Sequence, residues 1–172
     1  MAQTKHRDDQ LFTAPVEFDD TVTMNGSIAQ AAIAAGATLT VTQAAHEGKV
    51  IALDTAAGSV ATLPAATGTG AVYTFIVSVA VTSNNHIIQV ANATDEFSGV
   101  VYQVDTDTAD ALVAYPAIDA DGYDTITMNG TTTGGLIGDR YDIVDIAAGK
   151  FALVGHQNAN GAVATPLSAA VS

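Results

Sequence analysis

The stretch AVYTFIVSVAV, residues 71–81, decides how the rest of the chain is read. Strict alternation places Tyr73, Phe75, Val77, Val79 and Val81 on one face, and Val72, Thr74, Ile76, Ser78 and Ala80 on the other. The first face carries the bulk and belongs in a core; the second is smaller and less uniformly apolar. The run is about half of the ~20 residues that span a bilayer as a helix, so it reads as a strand.

Outward from this strand the text continues in the same style. Short β-prone runs are broken by Gly, Asn, Asp and Pro, the pattern of a sandwich or barrel. Strands are predicted at 38–42, 49–54, 59–63, 71–81, 86–91, 99–104, 110–115, 123–128, 140–146 and 150–155. Their spacing leaves no room for crossover helices, so neighbouring strands are expected to be mostly antiparallel. The fold class is therefore all-β, an antiparallel β-sandwich or jelly-roll-like body with an extended N-terminal arm. The one helix predicted lies at 27–36, SIAQAAIAAG, where Ser27 and Gln30 have capping-box spacing and Gly36 closes the C-terminal end. The divisions are an arm over 1–35, a body over 36–160 and a C-terminal tail over 161–172.

Composition narrows the functions. The chain has 172 residues, 48% hydrophobic and 13% charged, with a net charge of −13, so it is an acidic folded protein with a sizeable core. It contains no Cys, which removes disulfides, thiolate metal sites and cysteine nucleophiles. Between Lys49 and Arg140 there is no Lys or Arg and there are 10 acidic residues, so the body has no cations with which to grip nucleic acid. The opening MAQTKHRDDQLFTAP has no apolar h-region, and neither a signal peptide nor a membrane span is expected. The arm is the one locally basic segment. Its Lys5 and Arg7, together with Leu11, Phe12 and Phe18, combine charge with apolar anchors suited to docking on a protein surface.

TVTMNGS at 21–27 returns as TITMNGT at 125–131. In each copy alternation puts the aliphatic residue and the Met on one face, with the threonines opposite, and Asn-Gly then signals a tight type I′ hairpin turn. No further alignment extends from either copy, so the echo reads as one strand-to-turn device used twice, the first copy available to pack against a neighbouring subunit.

His6, His46, His86 and His156 have no i,i+2 or i,i+4 spacing, so no zinc site is expected. DTDTAD at 105–110 and DADGYD at 119–124 invite calcium, with Asp119, Asp121 and Asp124 as weak candidate ligands. An EF-hand fails, because Gly122 at its sixth position leaves Ala117 first and Met128 twelfth. GTG at 68–70 lacks the Gly-Lys-Ser/Thr of a phosphate loop, there is no Gly-x-Ser-x-Gly elbow, and Ser98 has no base near it in sequence. Asn25, Asn92 and Asn129 match the glycosylation pattern, and two of these are the Asn-Gly turns. No enzyme and no cofactor are expected.

Two longer phrases are similar to a loose group of tailed-bacteriophage virion proteins, described as head decoration (cement), head-fibre or tail-fibre-like proteins. They are GATLTVTQAAHEGKVIALDTAAGSVATLPAATGTGAVYTFIV at 36–77 and GDRYDIVDIAAGKFALVGHQNANGAVATPLSAAV at 138–171. The resemblance implies a β-rich body, a homotrimer, and an N-terminal segment that attaches to the virion. It implies a capsid decoration protein made in the host cytoplasm and placed on the capsid exterior, with the major capsid protein as partner and neither nucleic acid nor membrane involved. The alternative is a tail-fibre or head-fibre module that binds a receptor or carbohydrate, for which Tyr102, Tyr115, Tyr123 and Tyr141 are the available aromatics. The abundance of Ala, Gly, Thr and Val suits strands that pack closely at subunit seams.

Overall fold

The computed structural model describes residues 30–107 and 111–171. The elements follow in the order β1 Ile33–Ala34, β2 Thr38–Thr40, α1 Gln43–His46, β3 Val50–Leu53, β4 Val60–Thr62, β5 Val72–Val77, β6 His86–Gln89, β7 Glu96–Asp105, β8 Leu112–Ala117, β9 Thr125–Met128, β10 Arg140–Ala147, β11 Lys150–Ala159 and β12 Leu167–Ser168. They form a seven-stranded sheet, β1-β3-β5-β10-β11-β7-β8, and a five-stranded sheet, β12-β9-β6-β4-β2. The body is all-β and sandwich-like, as the strand pattern predicts.

The inner faces of both sheets meet in one apolar cluster. Tyr73, Phe75 and Val77 of β5, Tyr141 and Ile143 of β10, and Phe151 and Leu153 of β11 face Ala61, Ile88, Ile126 and Met128 of the smaller sheet. The alternation read from 71–81 is correct at its large residues, and Phe75 is fully buried. The strand itself stops at Val77, because Gly138 N–H donates to Val77 O at 2.9 Å and the partner strand β10 begins only at Arg140.

The antiparallel expectation is corrected. Of the sheet pairings, β1–β3, β3–β5, β2–β4, β4–β6 and β7–β11 are parallel, and β5–β10, β10–β11, β7–β8, β6–β9 and β9–β12 are antiparallel. From β1 to β6 the chain changes sheet at every step, so each strand pairs with the next but one. The long connection a parallel pair requires is present, but it consists of a strand of the opposite sheet rather than a helix. Later, the β10–β11 hairpin inserts between β5 and β7 and joins this coil to the second half of the chain.

The predicted helix is also corrected. Residues 27–29 lie outside the described part, and the rest of 27–36 contains β1, whose Ile33 and Ala34 pair with Ile51 and Ala52. A helix this short is marginal without packing, and here the sheet edge takes up the same residues. Gly36 serves the turn that follows, its N–H donating to Asp54 Oδ1 at 2.8 Å. The single turn α1 lies instead at Gln43–His46, with the Thr42 N–H donating to His46 Nδ1 at 3.0 Å.

Both ends of the body reach past the expected divisions, because β1 lies before residue 36 and β12 after residue 160. In the echo, Ile126 and Met128 are fully buried in β9. The Asn129–Gly130 pair does not close a hairpin, since β9 is followed by β10 in the other sheet. Gly130 has the positive φ of 80° expected of it, but the loop is organised by Asn129, whose Oδ1 accepts from Thr131 N–H at 2.9 Å and Thr133 N–H at 3.2 Å. The first copy lies outside the described residues.

Close packing demands glycine at one further place. Gly99 of β7 has φ of 150°, and a Cβ there would come within 1.9 Å of Leu153 O on β11. Gly99→Ala is therefore expected to disrupt the parallel β7–β11 ladder. Phe75→Ala is expected to destabilise the fold by about 3–5 kcal/mol. Urea unfolding of both variants checks these outcomes.

Candidate interaction surface

Four buried carboxylates hold the loops that frame the sheets. Asp145 accepts from the N–H groups of Thr67, Gly68 and Thr69 at 3.1, 2.7 and 3.1 Å, and from the Thr69 hydroxyl at 2.9 Å. Asp139 accepts from Gly135, Leu136 and Asn158 N–H at 2.8, 3.0 and 2.8 Å. Asp95 Oδ2 accepts from Ala66 N–H at 3.0 Å, and Asp124 Oδ1 from Ala170 N–H at 2.8 Å. Each carboxylate thus satisfies donors that would otherwise be buried unpaired, the condition under which a buried charge is tolerated.

The calcium candidates have protein partners of their own. Asp124 is committed to the C-terminal segment, Asp121 Oδ2 accepts from Ile118 N–H at 3.3 Å, and Asp119 lies 3.5 Å from Lys150 Nζ. The three do not converge on a common point, and no cluster of metal-ligating side chains occurs among the described residues.

The histidines have separate settings. His86 is fully buried; its Nδ1 accepts from Ser59 N–H at 3.0 Å, which leaves the proton on Nε2 to donate to Val79 O at 2.9 Å. His156 stacks on Tyr102 with ring centroids 5.8 Å apart. His6 and the arm residues Lys5, Arg7, Leu11, Phe12 and Phe18 lie outside the described residues. Tyr141 is buried and its hydroxyl donates to Gln157 Oε1, so it is not a surface platform; Tyr115 and Tyr123 pack against the core. A shallow groove at one end, between Ala57, Gly58, Val60 and Asn84, has no titratable side chain in its lining.

The outer faces of the two sheets differ in kind. On the five-stranded sheet the pairings align Thr40, Thr62, Gln89, Thr125 and Ser168 in one polar row, within which Thr125 is buried. On the seven-stranded sheet, registers align Val50, Thr74, Asp142, Val154, Val100 and Pro116 in one row. The next row holds Ala52, Ile76, Arg140, His156, Tyr102 and Ala114, and Val72, Val144, Ala152 and Ser98 form a third. Val50, Val72, Tyr102, Leu112, Ile146 and Val154 all stand exposed on this face, with Leu112 66% and Ile146 53% accessible. Single exposed apolar residues are ordinary, but a contiguous array of this kind marks a contact surface.

At the middle of the array is a compact polar group. Arg140 donates through Nε and Nη2 to both oxygens of Asp142 at 2.9 Å, and the Thr74 hydroxyl donates to Asp142 at 2.7 Å. The Arg140 hydrogen bonds hold the Asp142 carboxyl below its ordinary range. Ser98 lies on the same face, opposite Ala152 and away from the His156–Tyr102 stack by two rows.

No family model, curated protein or solved structure matches this chain.

The carboxylates make the acid limb of stability readable. At Asp145 burial pushes the carboxyl upward, but the N–H groups of Thr69, Gly68 and Thr67 with the Thr69 hydroxyl outweigh it, and the net direction is down from 3.8. Its contribution is complete above 3.8 and is lost as pH falls through the lower folded value. Asp139 has the opposite sign, since burial raises it against the pull of its donors, so its cost fades as pH falls toward 3.8. Asp145→Asn is expected to lower stability by about 1–3 kcal/mol at neutral pH. The gap to the parent chain should close on acidification below 3.8 in urea unfolding across pH.

Proposed function

We propose that this chain is a structural virion protein of a tailed phage, a decoration (cement) protein that binds the capsid exterior as an oligomer and stabilises the shell. The observation that carries the reading is the broad outer face of the seven-stranded sheet, built of interface-type residues and held on a rigid scaffold. The phage-virion resemblance of 36–77 and 138–171 supplies the setting, with the trimer and the major capsid protein as the implied assembly and partner. Lys5, Arg7, Leu11, Phe12 and Phe18 supply the attachment chemistry.

The mechanism is linkage. A protein that binds only correctly assembled neighbours stabilises that assembly by mass action. Copies joined in an oligomer present their arms together, so weak single contacts add through effective concentration. A fibre module that binds carbohydrate is the second reading, favoured by the one exposed tyrosine of the large face, Tyr102, which is 38% accessible. A positive glycan array would move the assignment there.

The deciding experiment is cosedimentation of the protein with undecorated phage shells. The full chain is expected to bind and to raise the temperature at which the shells open. Deletion of residues 1–20 is expected to abolish binding while leaving the melting of the body in place. Full affinity without those residues would remove the arm from the mechanism, and shells no more heat-stable with the protein than without it would overturn the cement reading.

A further inference from the structure

We infer that the outer face of the seven-stranded sheet is the seam at which copies of this chain meet. The inference rests on reading this face as a contact surface, and it is independent of which shell the resulting assembly binds.

Charge gives the first reason. A net charge of −13 makes copies repel each other across most of their surfaces. This face is the exception, because its central charges, Arg140 and Asp142, neutralise each other and its remaining rows are uncharged. At its rim Lys150 pairs with Glu96. Copies approaching here avoid the repulsion that the acidic loops impose elsewhere.

Self-complementarity gives the second. β10 is the fourth of the seven strands, so the Arg140–Asp142 pair sits at the middle of the face. Arg140 and Asp142 satisfy each other within one chain, so a partner that covers them needs to bring no counter-charge. The neutral patch of a second copy meets that condition and brings no unpaired charge into the contact.

Area gives the third. Six gaps between seven strands span about 29 Å at ~4.8 Å each, and four rows, counting Asn158, Val104 and Leu112 beside the three above, about 20 Å, so the footprint is at most roughly 600 Å² before side-chain relief is counted. That is below the ~800 Å² per partner of a standard interface but far wider than one added peptide strand. The Tyr102–His156 stack and Arg140 near its centre are of the residue types that anchor such contacts.

The test uses the full chain, without shells. Sedimentation velocity is expected to give an oligomer whose mass falls to that of a single chain in Val154→Asp, a substitution at an exposed position that leaves the core untouched. Because the chain has no Cys, Val154→Cys and Thr40→Cys each introduce one thiol, the second on the outer face of the smaller sheet. Maleimide should label Cys at 40 at least tenfold faster than Cys at 154, and dilution to the single-chain state should remove the difference.

An oligomer of unchanged mass in Val154→Asp, with both thiols labelled equally, would overturn the seam while leaving the capsid reading standing. A single-chain mass in the parent protein would also overturn it, and protection of the thiol at 154 in that state would assign the covering to the chain's own leading segment. An intact seam with no shell binding would instead sink the cement reading alone.

Discussion

The structure depends on the way the chain shuttles between two layers. From β1 to β6 each strand lies in the sheet opposite to the one before, so hydrogen-bonded neighbours are two strands apart in sequence and run parallel. Every crossing places one inner face against the other, and Phe75, Tyr73, Ile88 and Leu53 are buried between the sheets in this first half. The hairpin of β10 and β11 then locks the coil by pairing with β5 on one side and β7 on the other. Gly99 marks how tight that lock is, since the β7 backbone lies against Leu153 with no space for a side chain.

Such shuttling produces many connections at the sandwich ends, and each brings backbone N–H groups that no sheet satisfies. Asp95, Asp124, Asp139 and Asp145 meet this need by collecting several donors apiece. The acidic character of the protein is thus partly structural. It concentrates anions at the ends and loops and leaves the central expanse of the larger sheet nearly free of net charge. The smaller sheet turns Thr40, Thr62 and Gln89 toward its outer side, whereas the larger one turns outward valine, isoleucine, tyrosine and the Arg140–Asp142 and Lys150–Glu96 pairs.

A rigid sheet surface is an economical contact surface, because its side chains are already ordered and little freedom is lost on association. In the proposed assembly the two tasks are separate within one chain, the face joining copies and the leading segment gripping the shell. Neither task interferes with the packing that makes the body stable.

The strand positions were legible in the sequence because a period of two is a local property, and all ten predicted strands lie on observed ones. The burial of Tyr73, Phe75 and Val77 was legible for the same reason, as were the apolar positions of β9, whereas Val79, past the end of the strand, is only half-buried. Strand direction was not, since it depends on which sheet receives the intervening strand, a choice made by the packing of distant segments. The helix predicted at 27–36 gave way at Ile33 and Ala34 to pairing with β3, a tertiary contact that capping residues do not encode. Asp124 could be named as an acidic loop residue, but its role on the C-terminal segment required the fold to bring Ala170 to it. The large outer face was foreshadowed by the second apolar side of 71–81. Only the cross-strand registers, which align Val50 with Thr74, Asp142, Val154 and Val100, turned scattered residues from five strands into one surface.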